Sequence, residues 1–204
     1  MVTNLNFSLI ENGVDSLKAA YNSLTEAKYV YEGSEHHFKD ATLSLNHANE
    51  ILFKTLLKEQ HEFLIFSDIS AYMNAKANML IGAKSNVFEV KPNLKTINLK
   101  EAIMRLSLLC DIEVPKHFID ALEDLTKKRN QIMHYAIKMS QEEYEQFIQK
   151  LKDCYELTIH YFSQHFKGLV LMLENARFEF YGDEPDVEAM ADEAYLDWLA
   201  DQDN

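Results

Sequence analysis

Arg129, Asn130 and His134, within the stretch Thr126–Tyr135 reading TKKRNQIMHY, are the residues of this chain best suited to do chemistry. Histidine titrates near neutrality and can accept or release a proton. Arginine grips phosphate oxygens through its planar fork and stabilises charge as it develops. Asparagine hydrogen-bonds either partner without adding charge. A proton carrier, an anion binder and a neutral orienting group suit proton transfer beside a phosphate. Projected at about 100° per residue, a helix from Phe118 to His134 puts Phe118, Leu122, Leu125, Ile132 and Met133 on one apolar stripe, with Arg129 near its middle. A guanidinium buried unpaired is costly, so Arg129 needs a carboxylate, a phosphate or a wet cleft. Glu50 is the first candidate for an internal carboxylate. Asn130 and His134 lie one turn apart and neighbour each other, whereas His134 is about 140° around the axis from Arg129. One straight helix does not aim Arg129 and His134 at one point. A bent helix end, or two copies of the helix meeting across a dimer, would. By spacing alone a bland alternative stays open: Arg129 pairs internally and His134 caps the carbonyl end of its helix.

The elements that must position these residues read as helices. Five Gly and three Pro in 204 residues, with 47% hydrophobic content, predict a mostly helical chain able to bury a core. A first helix is expected over Ser8–Tyr31 and a second over Glu35–Glu59, where Phe38, Ala41, Leu45, Ala48, Leu52 and Leu56 repeat at core spacing. Glu50 and Lys54 are one turn apart off that stripe, either a surface ion pair or a support for the site. Phe63–Ile81 is apolar and helical after a break, and Gly82–Ile97 reads as an ordered loop or a small strand pair carrying Lys84, Lys91 and Lys95. Asn98 caps a short helix with Glu101 in the capping-box position, and Pro115 starts the helix of Arg129. Ser140 and Glu143 make a second capping box opening a long helix to Phe166. Arg129 to His134 therefore sits at the end of one helix beside the turn into another, where side chains can leave the cylinder and converge.

Other chemistry finds little footing. His61-Glu62 begins like a zinc-peptidase motif but has Ile65 where the second histidine should stand, and the His36/His37 and His160/His165 pairs lack companion ligands. The glycines stand alone, so there is no phosphate-cradling loop, and no cofactor or metal is expected. Cys110 and Cys154 lack CxxC spacing and read as reduced core residues. No apolar run approaches the ~20 residues of a membrane span, and the first residues lack a secretory layout, so the expectation is a soluble cytoplasmic protein. The formal charge is −13, yet Asp183–Asn204 holds nine acidic and no basic residues. Val187, Met190, Ala194, Tyr195, Trp198 and Leu199 give this acidic tail an amphipathic pattern, suggesting a docking segment for a partner or for the chain's own basic cleft. The expected division is a helical domain over 1–181 and an acidic amphipathic tail over 182–204.

The segment RNQIMH resembles the R-x4-6-H signature of the HEPN superfamily, in which arginine, a polar residue, a few further residues and histidine end one helix. ATLSLNHANEILFKTLLKE, with Ala48, Glu50 and Lys54, is similar to that family's early helix, and FLIFSDI at Phe63–Ile69 is reminiscent of some bacterial members. The resemblance covers about Phe38–Phe166. It implies an all-α, HEPN-like antiparallel helical bundle of about five to seven helices with an acidic C-terminal appendage. It further implies a metal-independent endoribonuclease that cleaves RNA by transesterification in a cleft shared by a homodimer. On that basis His134 is acid or base, Arg129 the phosphate binder and transition-state stabiliser, and Asn130 the orienting residue. Glu50, Lys54, Lys127, Lys128 and Tyr135 are candidate supporting residues, Tyr135 either packing or stacking on a base. Many members are toxins paired with an antitoxin, or antiviral-defence effectors, so an antitoxin or other protein partner, reached through 183–204, is also implied. One branch is silenced by modification of a tyrosine two residues after the histidine; here that position is Ala136, so the resemblance does not extend to that control. The alternative of a different class is a non-catalytic helical module for dimerisation and protein binding, which the net acidity favours because nucleic-acid affinity is largely electrostatic. A nuclease should gather lysine and arginine near His134 despite the overall charge.

Overall fold

The structure, a computed structural model, describes residues 7–27 and 33–178. They form seven α-helices and, among the described residues, no strand: α1 (Leu9–Glu26), α2 (Glu35–Gln60), α3 (Ile69–Ile81), α4 (Leu99–Leu109), α5 (Lys116–His134), α6 (Gln141–His165) and α7 (Leu169–Asn175). Residues 182–204 and the domain boundary proposed before them lie outside the described residues, as does the expected end of the first helix at Tyr31. No described helix is long and apolar enough to cross a membrane.

Helix α2 is the centre, with α1, α4, α5 and α6 all packing on it. Its expected stripe is buried, but so are Ile51, Phe53, Lys54, Thr55 and Leu57, so that from Ile51 to Leu57 every side chain is inside. A helix enclosed on all sides loses the one-sided pattern of a surface helix. On α2, Phe53 meets Phe118 of α5 and Tyr161 and Phe162 of α6, with ring centroids 4.9 to 6.0 Å from Phe53. These offset and edge-on aromatic contacts pin the start of α5 to two neighbours. Buried polar groups add direction: Thr158 Oγ1 donates to Asn49 Oδ1 at 3.1 Å, and Thr126 Oγ1 donates to Asn46 Oδ1 at 3.0 Å.

Helix starts follow their local chemistry. Ser8–Glu11 and Ser140–Glu143 form complete capping boxes before α1 and α6. Asn98 caps α4 by accepting from the Glu101 amide, but the box is only half formed. The Glu101 carboxylate instead lies 2.6 Å from Arg105, whose guanidinium also donates to the carbonyls of Leu64 and Phe66 at 2.7 and 2.8 Å. A charged fork satisfying three acceptors outcompetes one backbone amide for the glutamate. Residues 82–97 are a loop, not a strand pair. It contains one 3-10 turn at Val87–Glu89 and a single antiparallel bridge between Phe66 and Thr96, and its three lysines are exposed.

Candidate functional site

Helix α5 carries Phe118, Leu122 and Leu125 fully buried, and beyond Leu125 the burial fades. Ile132 is half-buried and Met133 half exposed, so the apolar stripe expected to run to Met133 ends about two turns early. The last turns of α5 project past the core. Arg129, half-buried, and Asn130 line a cavity of about 860 Å³ between α2, α4 and α5. Glu50 and Asn46 form its α2 wall, Ile103, Met104 and Leu108 its α4 wall, and Lys127 and Thr126 share the α5 wall. The Arg129 guanidinium donates to Asn130 Oδ1 at 3.0 Å, so these two side chains act as a unit.

Glu50 is not the partner of Arg129. Its carboxylate sits 2.6 Å from Lys54 Nζ, which also donates to Thr96 Oγ1 at 3.0 Å, and among the described residues no carboxylate lies within 4 Å of Arg129. The reason is burial: Lys54 is enclosed and cannot go unpaired, whereas half-buried Arg129 keeps its head at a wet cleft. The Glu50–Lys54 pair is therefore an interior brace, with Glu50 facing the cavity from the side opposite Arg129's helix.

His134 closes α5 as its last residue and is exposed. It lines neither the Arg129 cavity nor the cleft on the other side of α5, and among the described residues its ring makes no hydrogen bond. The helix-end capping alternative thus finds no bond to a carbonyl, and a single chain brings Arg129 and Asn130 together without His134. Tyr135, the C-cap, is 81% exposed and lines the other cleft, of about 590 Å³, at the α5–α6 turn. Lys128, Lys138, Lys150 and Glu143 share this cleft, with Gln131 and Gln146 beside them. Lys128 stands 5.3 Å above the ring of Phe147. Lys150 and Lys127 both reach Asp124, at 3.3 and 3.4 Å. Burial tends to raise the Asp124 carboxyl, but hydrogen bonds from Lys150 and then Lys127 outweigh it and hold the group below the ordinary carboxylate range. Across both recesses Lys100, Lys127, Lys128, Arg129, Lys138 and Lys150 stand against four carboxylates, Glu50, Glu123, Glu143 and the Asp124 that Lys127 and Lys150 share, in a chain whose net charge is −13. No motif in the sequence singles out Lys138 or Lys150. Lys138 lies two residues before the Ser140 cap and Lys150 almost three turns into α6, and their convergence depends on the angle between α5 and α6.

The remaining histidines and cysteines lie elsewhere. His36 and His37 pack against each other with tilted rings 3.8 Å apart, His160 bonds Gln164, and His165 packs on Tyr161. Among the described residues no three His, Cys, Asp or Glu side chains are grouped to hold a metal ion. Cys110 and Cys154 are both unpaired, and burial pushes the Cys154 thiol up to about 12. No protein-family model, no curated protein and no solved structure matches this chain.

Proposed function

We propose that this chain is a HEPN-like, metal-independent endoribonuclease that works as a homodimer and acts as a toxin or antiviral-defence effector. The reading rests on the residues that carry the family resemblance. The observation that supports it most is the concentration of cations, in an acidic protein, on both sides of the helix end bearing Arg129, Asn130 and His134. Arg129 has no carboxylate within 4 Å among the described residues and opens onto a large cavity, which suits a guanidinium that waits for a phosphate.

In this reaction His134 takes the proton from the 2′-hydroxyl or returns one to the leaving 5′-oxygen. The 2′-oxygen attacks phosphorus, the bond to the 5′-oxygen breaks, and a 2′,3′-cyclic phosphate forms. Arg129 binds the non-bridging oxygens and stabilises the added charge, while Asn130, already bonded to Arg129 at 3.0 Å, holds that fork in orientation. Because His134 does not share a cavity with Arg129 within one chain, the complete set takes Arg129 from one copy and His134 from another. The exposed apolar wall of α4, with Met104 and Leu108, is the surface a second copy would cover.

The test is RNA cleavage in EDTA by wild type, Arg129→Ala and His134→Ala, scored with growth arrest on expression. Both variants should remain folded and lose cleavage. Mixed together after exchange of subunits, they should recover about a quarter of wild-type activity, since half the dimers are mixed and each has one intact site. No recovery would place both groups in one chain. Uncut RNA from a folded wild type would refute the nuclease and leave the protein-binding module.

A further inference from the structure

Resting on the nuclease reading, we propose that the cleft at the α5–α6 turn is a binding site for single-stranded RNA beside the cutting centre, in which Lys128, Lys138 and Lys150 take backbone phosphates and Tyr135 stacks on an unpaired base. The cleft encloses about 590 Å³ and includes Tyr135, the residue after His134. Lys128 and Lys138 have no carboxylate within 4 Å among the described residues, and Lys150 shares Asp124 with Lys127. Within the cleft three ammonium groups, Lys128, Lys138 and Lys150, stand against Glu143 and the Asp124 that Lys150 reaches, which leaves positive charge over. Such a surplus on a concave face is the footprint of a polyanion, and it is opposite to the chain's average charge.

Tyr135 narrows the polyanion to a nucleic acid. The residue lines the cleft and is 81% exposed, so it buries little of itself against the protein. An aromatic face held at a helix end beside cations is the arrangement that stacks a base while the lysines track the strand. Gln131 and Gln146, in the same cleft, offer amide groups to base edges. Stacking of this kind needs a base free of its partner, so the strand is single; the bases of an A-form duplex are not available to a side-chain ring. An acidic peptide, including this chain's own residues 183–204, would use the lysines without needing the ring.

The experiment measures binding of a labelled 2′-O-methyl RNA of about twelve nucleotides to the full chain by fluorescence anisotropy. The methylated 2′-oxygen cannot attack, so binding is read apart from cleavage. Each phosphate contact to a single strand carries a salt slope of about −0.7, so Lys128→Ala/Lys138→Ala should weaken binding about 25-fold at 0.1 M salt and flatten the slope by about 1.4. Tyr135→Ala should weaken it about fivefold or more, and Tyr135→Phe should retain it. Lys84→Ala/Lys91→Ala, in the exposed loop, should leave affinity unchanged. Equal losses from the two lysine pairs, equal losses from Tyr135→Ala and Tyr135→Phe, or no loss from the cleft variants would overturn the proposal. So would a peptide of residues 183–204 whose binding needs these lysines while RNA binding does not. Cleavage that depends on Arg129 and His134, alongside RNA binding indifferent to the cleft, would remove this inference and leave the nuclease standing. Cleft-dependent binding without any cleavage by wild type would do the reverse.

Discussion

Glu50→Ala should destabilise the protein more than Lys54→Met, although both break the same ion pair. The asymmetry comes from what is left behind. The Lys54 side chain is 7% exposed and Glu50 is 30% exposed, with Nζ 2.6 Å from Glu50 Oε1 and 3.0 Å from Thr96 Oγ1. Removing Glu50 leaves a nearly enclosed ammonium with only the Thr96 hydroxyl as partner, at a cost of about 3 kcal/mol. Methionine at position 54 keeps the volume of the stem, and the stranded Glu50 carboxylate can turn to water in the cavity, so only about 1 kcal/mol is lost. With a slope of about 2 kcal/mol per molar urea, the unfolding midpoint should fall by about 1.5 M for Glu50→Ala and about 0.5 M for Lys54→Met. The double variant should be more stable than Glu50→Ala alone, because no charge is left stranded. Glu50→Ala and Arg129→Ala should couple by under about 1 kcal/mol, since the two side chains share a cavity but no hydrogen bond. Equal midpoints for the two single variants would refute the burial argument. Strong non-additivity between Glu50 and Arg129 would mean that Glu50 holds Arg129 after all.

Other consequences can be checked in the same preparations. A Cβ on Gly13 would lie 2.9 Å from two atoms of fully buried Leu52, so Gly13→Ala should lower the melting temperature despite a gain of about 1 kcal/mol in helix propensity, and adding Leu52→Ala should relieve part of that clash. Ser140→Ala removes a complete capping box and should cost about 1 kcal/mol, with faster amide exchange confined to the first turn of α6. Burial tends to raise the Glu62 carboxyl, but hydrogen bonds from Lys76 and Tyr72 hold it below its ordinary value. The folded-state value is depressed, so its stabilisation is present above the unfolded value and is lost as pH falls through the folded one. Lys76→Met should flatten the loss of stability between about pH 5 and pH 3, by under 1 kcal/mol because the pair is partly hydrated. With its thiol pushed up to about 12 by burial, Cys154 should react with a disulfide reagent at pH 8 only as fast as the protein unfolds, while half-buried Cys110 should react in the native state. Equal native reactivity of the two thiols would contradict the packing around Cys154.

Local chemistry made much of the fold readable. The starts of α4, α5 and α6 follow from residues within a few positions: Asn98, Pro115 and Ser140 precede runs whose apolar spacing repeats at helical period. The Glu50–Lys54 contact was also readable, because residues four apart on one helix are neighbours whatever surrounds them. Its burial was not readable, since the group that encloses Lys54 includes Thr96, far along the chain. The same holds for Glu101, whose expected bond to a backbone amide gave way to Arg105 once that side chain was committed to the carbonyls of Leu64 and Phe66.

By itself the sequence determined that Arg129, Asn130 and His134 end one helix beside the start of another, and that Arg129 and His134 point about 140° apart, because both facts depend only on helical geometry. Tertiary structure alone decided which recess each residue faces. How α4 and α6 lie against α5 makes two cavities on opposite sides of that helix, gives Arg129 to one and Tyr135 to the other, and brings Lys138 and Lys150 beside Lys128. Residues many positions apart in the chain meet only through packing angles, and those are set by the side chains of every contacting helix at once.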